Sequence, residues 1–455
     1  MDALLKDLET AVGSGGLATG DAAAEQAHSP WARLGKPMAV VKPRTTQEVS
    51  DILRAAHAAG AAVVPWGGRT GLVDGGRAEG AIALSLERMN AIEEIDAEGA
   101  IMVVQSGCVL QTACEAADAA GQFLPLDLGA RGSATIGGNI STNAGGNRVL
   151  RYGMMREMVL GLEAVLADGT VVTSMNRLIK NNTGYDLKQL FIGSEGTLGV
   201  VTRAVLRLRP RPSSQNTAFV AVDSFEALPK LLRMLEAELA GTLSAYEVMW
   251  PEFYDFVTTE PAKGRAILPR GSAFYVLVEM LGAHPQSDAE RFETVLGEAL
   301  EAGLASDAVI AKSKAESDAI WGLRDDVGQP FRNGPAFTYD ISLPIPEMPA
   351  YVAKVKADLT ARWPKAELTV FGHLGDGNLH LVAGVGDRSA KHDVEAMVYA
   401  PLRAFSGSVS AEHGIGLQKK AYIGVSRTPV ELAVMRTLKD ALDPKHILNP
   451  GKILG

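Results

Sequence analysis

Residues 125–146 read PLDLGARGSATIGGNISTNAGG, and glycine, other small residues and hydroxyl-bearing residues fill almost every position. Such a segment has little side-chain bulk to bury, so something else must pack against its backbone. A flexible linker is one alternative. The apolar residues Leu126, Ile136 and Ile140 argue against a linker. We therefore expect this backbone to wrap around a large, flat, phosphorylated ligand.

A second Gly-rich loop lies upstream, where residues 65–71 read PWGGRTG. It follows a β-α-β pattern, with a strand over 39–41, an amphipathic helix over 46–56 that stops by Gly60, and a strand over 61–65. Bare backbone N–H groups in such a loop can bind phosphate, although an ordinary turn is the commoner explanation. No Walker lysine follows the loop, and no Gly-x-Gly-x-x-Gly opens a helix. The sequence therefore excludes the P-loop and the Rossmann motif.

The chain downstream alternates strand and helix patterns. Residues 162–173 predict a hairpin that turns at 167–170, and a Gly-Ser-Glu-Gly loop at 193–196 precedes another strand. Pro210-Arg211-Pro212 predicts a domain boundary. Beyond this boundary we predict one sheet with flanking helices, formed by strands over 217–222, 273–280, 308–311 and 336–343 and helices over 224–239, 288–303 and 317–324.

Composition limits the class of protein. A chain of 455 residues exceeds one ordinary core, so two or three domains are expected, and 47% hydrophobic with 21% charged residues is typical of a soluble globular protein. The net charge of −9 argues against nucleic acid and anionic membranes as partners. Cys108 and Cys114 provide no disulfide framework. The sequence contains neither a signal-peptide pattern nor an apolar run of membrane-spanning length, so we expect a cytoplasmic protein.

A histidine-rich hairpin follows at residues 371–381, which read FGHLGDGNLHL. If the chain turns at Asp376-Gly377, His373 and His380 lie directly opposite each other, with Cβ atoms ~5 Å apart. That spacing would let both imidazoles bind one metal ion, and Glu412 in the Ser-Ala-Glu-His-Gly segment offers a third ligand. Two strand histidines that merely pair are the alternative. The second acidic and histidine-containing segment leads us to favour a metal site.

The Gly-rich segments together resemble those of a known family. They are similar to the FAD-binding segments of the vanillyl-alcohol-oxidase flavoproteins, also called PCMH-type, and within these to the D-2-hydroxyglutarate, D-lactate and glycolate dehydrogenase branch. The match runs over about 37–454 and is weakest between 213 and 317. The segments that carry it are 65–72, 125–130, 136–146, 151–153, 182–187 and 193–202.

The resemblance implies an α+β fold. An N-terminal helical extension (1–36) precedes a two-lobed PCMH-type FAD-binding domain (37–212). A cap domain with an antiparallel sheet (213–399) binds substrate, and a C-terminal helical segment (400–455) returns to the flavin. Covalent attachment of the flavin is not expected unless Cys108 provides it, and a small buried thiol is the more ordinary role for that residue.

The resemblance also implies which positions contact FAD, held non-covalently. They are Pro65, Gly67, Gly68, Arg69, Thr70, Gly71, Pro125, Asp127, Gly132, Thr135, Gly137, Gly138, Asn139, Ser141, Asn143, Gly145, Gly146, Glu195, Gly196, Gly199, Val200, Val201 and Asn449.

In the resembled family the remaining site residues act on a D-2-hydroxy acid. The resemblance implies that His373, His380 and Glu412 hold a divalent metal. Zinc is favoured, and Mn, Co or Fe would also accept these ligands. Arg324, for which a surface salt bridge is the alternative, would bind the substrate carboxylate. Coordination would lower the pKa of the substrate hydroxyl, His413 would take its proton, and the Cα hydride would pass to flavin N5.

Two positions bear on the choice of substrate. Relatives specific for 2-hydroxyglutarate carry a Lys and an Asn where this chain has Thr338 and Val382. Both differences remove a donor for a second carboxylate, so we predict a preference for monocarboxylic D-2-hydroxy acids such as lactate. D-2-hydroxyglutarate dehydrogenase proper is the alternative.

Two other classes of protein compete with a dehydrogenase. A metal-dependent hydrolase without flavin would leave the Gly-rich segments without a purpose. A non-catalytic binder of flavin or acid would leave Arg324 and His413 unexplained. For the dehydrogenase, an electron-transfer flavoprotein, a quinone or oxygen could accept the electrons, and a homodimer is the family-level expectation.

Overall fold

The computed structural model describes residues 2–454 and divides into two compact units. The first unit contains the described residues up to Gly146, then Gly153–Arg211 and the C-terminal segment from Glu412. The second contains Asn147–Tyr152 and Pro212–Ala411. Within residues 2–454, no helix combines the length and the apolarity needed to cross a membrane.

Helices and strands are interspersed along the described chain. The α-helices are α1 (Asp2–Val12), α2 (Gly20–Gln26), α3 (Thr46–Ala59), α4 (Leu110–Ala119), α5 (Ile136–Thr142), α6 (Val149–Tyr152), α7 (Met155–Met158), α8 (Lys188–Phe191), α9 (Ala227–Glu238), α10 (Pro251–Thr258), α11 (Pro285–Glu301), α12 (Lys314–Asp325), α13 (Met348–Arg362), α14 (Lys391–Tyr399), α15 (Ile423–Ser426) and α16 (Pro429–Leu442). The strands are β1 (Leu17–Thr19), β2 (Ala39–Val41), β3 (Val63–Trp66), β4 (Ile82–Ser85), β5 (Ile92–Asp96), β6 (Ile101–Gln105), β7 (Gln122–Phe123), β8 (Val159–Val165), β9 (Val171–Ser174), β10 (Val200–Arg207), β11 (Arg209–Pro210), β12 (Ser214–Val222), β13 (Leu243–Met249), β14 (Phe274–Gly282), β15 (Asp307–Ile310), β16 (Ala336–Ser342), β17 (Glu367–Gly372) and β18 (Asn378–Gly384).

The first unit begins with the predicted β-α-β pattern. Strands β2 and β3 run parallel to β4 in a sheet of order β1-β2-β4-β3. Helix α3 starts where Thr45 accepts a hydrogen bond from the Glu48 N–H, and it ends at Gly60 in the left-handed conformation. Its apolar face, with Ile52 and Leu53, is fully buried. The predicted amphipathic helix that stops at Gly60 is confirmed.

The second sheet of the first unit is antiparallel, in the order β5-β6-β10-β8-β9, and includes the predicted hairpin of β8 and β9. The Gly-rich segment 125–146 contains the short helix α5, which is not among the predicted helices. Gly137 and Gly138 have low helix propensity, so the pattern carries no helix signal. Gly137 is nevertheless required, because a Cβ there would lie 2.5 Å from the Cβ of Ser106.

The C-terminal segment belongs to the core of the first unit. Leu448 is fully buried and forms a parallel bridge with Val63 of β3. The buried Lys439 ammonium donates to the Asp443 carboxylate and to the carbonyl oxygens of Thr197 and Leu448. These contacts hold the end of the chain against strand β3 and against the loop that contains Thr197.

A seven-stranded antiparallel sheet forms the second unit, in the order β15-β12-β14-β13-β17-β18-β16. The predicted antiparallel sheet is confirmed. One face carries a core that includes Phe219, Met249 and Phe371, and side chains of helices α10 and α12 complete it. Helix α12 presents Ile320 and Leu323 to this core, which brings the last turn of α12 to the same face.

Strand β13 lies in the middle of this sheet and is not among the strands predicted from the sequence. Every residue from Leu243 to Met249 is buried, so the strand lacks the alternation of apolar and polar residues that marks a half-exposed strand. Glu247 is the one charged side chain of the strand, and it is 1% exposed. A buried carboxylate needs partners.

Candidate active site

The histidine hairpin of β17 and β18 differs from its predicted register. Phe371, and not His373, is paired with His380, so the prediction that the two histidines lie directly opposite each other is wrong. Their ring centroids are nevertheless 5.3 Å apart, with an interplanar angle of 78°. The structure thus brings the two predicted metal ligands together by a route other than cross-strand pairing.

The turn of the hairpin explains the changed register. The chain closes through a 3-10 turn at Leu374–Asp376, and Gly377 follows in the left-handed region with a φ of 83°. The Asn378 N–H donates to the His373 carbonyl, which closes the loop behind the histidine. This longer loop buries Leu374 completely, an apolar gain that a two-residue Asp-Gly turn would forgo.

Glu247 connects His373 with Arg324. One carboxylate oxygen lies 2.5 Å from His373 Nδ1, and the other accepts a 2.8 Å hydrogen bond from Arg324 Nε. Arg324 Nη2 lies 3.0 Å from His373 Nε2. All three side chains are buried, with Glu247 1%, His373 4% and Arg324 7% exposed. The guanidinium also lies over the Phe371 ring at 5.3 Å.

The surroundings of Glu247 favour its ionised form. Burial alone would raise the pKa of this carboxyl, but its close contacts with His373 and Arg324, including the hydrogen bonds, lower the pKa below its ordinary value. The carboxylate is therefore an acceptor at neutral pH.

Asp340 is a second buried carboxylate, next to His380. It is paired with His380 across β16 and β18, and its Oδ1 lies 4.0 Å from His380 Nδ1. Asn378 Nδ2 donates to the same oxygen at 3.0 Å. The other oxygen accepts from the Ala411 backbone N–H at 3.2 Å. Asp340 thus fixes the chain at the residue that directly precedes Glu412.

Glu412 and His413 are both partly buried and begin the C-terminal segment of the first unit. The loop after them is anchored to the Gly-Ser-Glu-Gly segment: the Glu195 carboxylate accepts from the Ile415 N–H at 2.7 Å and from the Gly416 N–H at 2.8 Å. A side chain at Gly414 would collide with this carboxylate, because a Cβ there would lie 2.7 Å from Glu195 Oε1.

The two residues predicted to select substrate lie opposite each other. Thr338 of β16 is paired with Val382 of β18, and the next pair on the same face is Asp340 with His380. Thr338 is exposed, whereas Val382 is 2% exposed and belongs to the apolar core. Both positions therefore share the sheet face of the second histidine.

The positions predicted to contact FAD all lie in the first unit, in its loops, at Pro65 of β3, in helix α5 and at the start of β10. Gly68 approaches the Gly-rich segment so closely that a Cβ would lie 1.9 Å from the Ser133 carbonyl oxygen. Asn449 Nδ2 donates to the Glu195 carbonyl oxygen, and the Glu195 N–H donates to that of Ser141. Arg69, another predicted FAD contact, uses its guanidinium within the protein: Nη1 donates to the backbone carbonyl of Gln26 in the same unit.

Several buried polar atoms in these segments fit a bound ligand. Asn139 Nδ2 and Asn449 Oδ1, and also Ser106 Oγ of the residue that lies against Gly137, are buried and have no hydrogen-bond partner among the described residues. Such atoms are normally paired, so the segments have the donors and acceptors that a polar cofactor requires. Cys108 is also fully buried, but its Sγ lies 3.6 Å from the Val109 carbonyl oxygen, and burial raises the pKa of its thiol to about 11.

Glu247 and Asp340 were not predicted as site residues. Glu247 and His373 are 126 residues apart in the sequence, so no local motif joins them. The available signal was a single acid inside the apolar run from Leu243 to Met249.

Two protein-family models match this chain. One, described as "FAD linked oxidases, C-terminal domain", matches residues 211–453, and the other, described as "FAD binding domain", matches residues 37–174. Together they cover most of both compact units.

Curated relatives extend the likeness. The chain is 43% identical over 431 residues to the mitochondrial D-2-hydroxyglutarate dehydrogenase of Bos taurus, which covers 93% of this chain and 78% of the relative. It is 38% identical to the D-2-hydroxyglutarate dehydrogenase of Xanthomonas citri, with 99% and 97% covered. It is also 38% identical to a Schizosaccharomyces pombe protein provisionally named a mitochondrial D-lactate dehydrogenase, with 92% and 82% covered.

Solved structures share the fold at low identity. p-Cresol methylhydroxylase with substrate bound has a TM-score of 0.77 at 14% identity, and covers 99% of this chain and 96% of that one. A 4-ethylphenol oxidase from Gulosibacter chungangensis has a TM-score of 0.76 at 18% identity, with 100% and 97% covered. These likenesses confirm the predicted PCMH-type architecture.

Proposed function

Given that this chain belongs to the family of FAD-linked D-2-hydroxyacid dehydrogenases, we propose that its reaction requires a divalent metal and that it prefers monocarboxylic D-2-hydroxy acids. The enzyme oxidises the hydroxyl-bearing carbon of such acids, and the product is the 2-oxo acid. Bound FAD supplies the acceptor for the hydride. We propose that the positions named above hold it without a covalent bond.

His373, His380 and Glu412 are the proposed metal ligands. The 5.3 Å separation of the two imidazole centroids supports this assignment. Glu412 is joined directly to Ala411, whose N–H is bound to Asp340, the cross-strand partner of His380. Two nitrogens and a carboxylate suit zinc, and also Mn, Co or Fe. Such an ion supplies Lewis-acid polarisation of the substrate hydroxyl.

Arg324 and His413 complete the proposed machinery. A guanidinium oriented by Glu247 suits the carboxylate that every 2-hydroxy acid carries. His413 is the proposed base for the hydroxyl proton, since imidazole exchanges protons near neutral pH. Glu195 holds the backbone that follows His413, which supports a fixed position for this ring.

The substrate preference is argued from Thr338 and Val382. Neither side chain offers a charge to a second carboxylate, and Val382 is packed in the apolar core. A carboxylate buried without partners costs several kcal/mol, whereas an apolar tail gains about 0.8 kcal/mol per buried methylene. D-2-hydroxyglutarate is the alternative substrate, favoured by the names of the Bos taurus and Xanthomonas citri relatives.

The observation that carries this proposal is the histidine pair, and one preparation tests it. The purified protein should be yellow, contain one equivalent of a divalent metal by elemental analysis, and bleach anaerobically when a D-2-hydroxy acid is added. Exhaustive chelation should stop the bleaching and leave the flavin spectrum in place. A colourless protein would favour the hydrolase, and full activity without metal would exclude metal dependence.

Other properties of the enzyme are proposed from the family alone. We propose a cytoplasmic homodimer that passes electrons to an electron-transfer flavoprotein or a quinone. Each acceptor in turn is mixed anaerobically with the flavin-reduced enzyme, and the rate of flavin reoxidation is measured. The physiological acceptor should give the fastest reoxidation.

A further inference from the structure

We infer that Glu247 is a positioning residue, which sets the ring of His373 for metal binding and the guanidinium of Arg324 for the substrate carboxylate. The inference rests on the proposed metal-dependent function and adds a residue that acts through two others. Its basis is one buried carboxylate whose two oxygens serve two different partners.

The hydrogen bonds assign the tautomer of His373. A carboxylate only accepts, so the 2.5 Å contact between Glu247 and Nδ1 requires the ring proton on Nδ1. Nε2 then carries the lone pair, and it accepts from Arg324 Nη2 at 3.0 Å. A metal ion needs this same lone pair. A carboxylate behind the distal nitrogen of a ligating histidine is a recurrent arrangement, because it fixes both the tautomer and the ring orientation.

The second oxygen of Glu247 orients Arg324. Its 2.8 Å bond to Nε fixes one edge of the planar guanidinium and so determines the direction of the remaining N–H groups. The charges also match, because the Glu247 carboxylate neutralises the buried guanidinium. Loss of the carboxylate charge would therefore disturb both the metal ligand and the substrate-binding arginine.

The same sheet provides a matched control in Glu279. This carboxylate lies on the adjacent strand β14, where it is paired with Ala245, and it is fully buried. Its partners are different, since it accepts from Trp321 Nε1 at 2.9 Å, Gln215 Nε2 at 2.7 Å and Ser244 Oγ at 3.0 Å. Substituting either glutamate by glutamine keeps the shape and removes one buried charge.

The test compares Glu247→Gln with Glu279→Gln in the FAD-containing enzyme. Zinc affinity, measured by competition with a chromophoric chelator, should fall about 10–100-fold in Glu247→Gln and remain at the wild-type value in Glu279→Gln. At saturating zinc, Glu247→Gln should still show a raised KM for the hydroxy acid, through Arg324, and a smaller change in kcat. FAD content should be equal in all three proteins.

The outcomes separate this inference from the proposed function. Wild-type enzyme that binds no zinc and needs none would remove the metal-dependent function itself. Wild-type enzyme that binds zinc, together with a Glu247→Gln variant of equal affinity and unchanged KM, would overturn the inference alone. If Glu247→Gln does not fold, Glu247→Asp decides: it keeps the charge but shortens the side chain, so wild-type zinc affinity and KM in that variant would likewise overturn the positioning role.

Discussion

The imidazole centroids of His373 and His380 lie 5.3 Å apart, although His380 is paired across the hairpin with Phe371. His373 follows the last residue of β17 and precedes a 3-10 turn, so its position does not depend on cross-strand pairing. The two proposed metal ligands are therefore close together even though the predicted register of the hairpin is wrong. The first prediction tests that site.

His380→Ala should abolish zinc binding and turnover while the flavin stays bound, because a site with one imidazole fewer no longer has enough ligands. Zinc is measured by elemental analysis and flavin by absorption at equal protein concentration. His392→Ala, at an exposed position in α14, should retain both metal and activity. Undiminished zinc in His380→Ala would show that His380 is not a ligand.

His413→Ala should retain the metal and lose turnover. Positioned acid–base groups typically contribute ~10²–10⁴-fold, so kcat should fall at least that far. Anaerobic flavin reduction by substrate, followed by stopped flow, measures the step in which His413 acts. Loss of zinc from this variant, with activity restored by added metal, would instead make His413 a ligand.

Thr338→Lys combined with Val382→Asn should raise kcat/KM for D-2-hydroxyglutarate, because the pair restores donors for a distal carboxylate. The wild-type enzyme should prefer D-lactate and longer monocarboxylic analogues. A panel of both substrate types at one pH compares the two proteins. The idea fails if D-2-hydroxyglutarate is the best wild-type substrate, or if the double variant gains nothing on it.

Cys108 should react slowly with alkylating agents and should not hold the flavin. Burial raises its pKa to about 11, so the thiol is protonated, and unreactive, throughout the neutral range. Labelling followed by mass spectrometry should show alkylation of Cys108 increasing only towards that pH, with the partly exposed Cys114 as an internal comparison. Acid precipitation should release intact FAD, and flavin retained by the wild type but not by Cys108→Ser would contradict this.

Lys439→Met should strongly destabilise the first unit, by about 3–5 kcal/mol, because it leaves the fully buried Asp443 carboxylate without its cation. The change in stability is measured by thermal unfolding, with the increase in fluorescence of released flavin as the signal. Lys445→Met removes an exposed lysine whose Nζ donates to the His57 carbonyl, and it should change stability by less than about 1 kcal/mol. Equal stability of the two variants would show that the Lys439–Asp443 pair does not contribute this much to the stability of the first unit.

Local patterns predicted the elements whose signals are local. Helix α3 has a cap, an amphipathic face and a terminal glycine within one stretch, and the hairpin of β8 and β9 has its turn residues between its strands. Strand β13 had no such signal, since burial on both faces removes the alternation on which strand prediction depends. The predicted register of the histidine hairpin was wrong for a related reason. Leu374 is buried by tertiary packing, and the Asp-Gly pair alone does not specify that burial.

The candidate site divides in the same way. His373, His380 and Arg324 lie in motifs that could be identified by their resemblance to a family. Glu247 lies in an apolar run. Asp340 lies in a segment whose pattern predicted a strand but gave no role to this carboxylate. Their roles depend on which strands become neighbours in the sheet. That arrangement is fixed by long-range pairing, which a single sequence does not state.

The bridge between Leu448 and Val63 has a consequence for the order in which this protein is made. Once the ribosome has synthesised the chain to Ala411, every residue of the second unit exists, whereas the first still lacks its segment from Glu412 onward. Strand β3 must then wait for Leu448, and the loop at Thr197 must wait for Lys439. The unit begun first is thus completed last, so a prematurely terminated chain can contain every residue of the second unit and still lack part of the first.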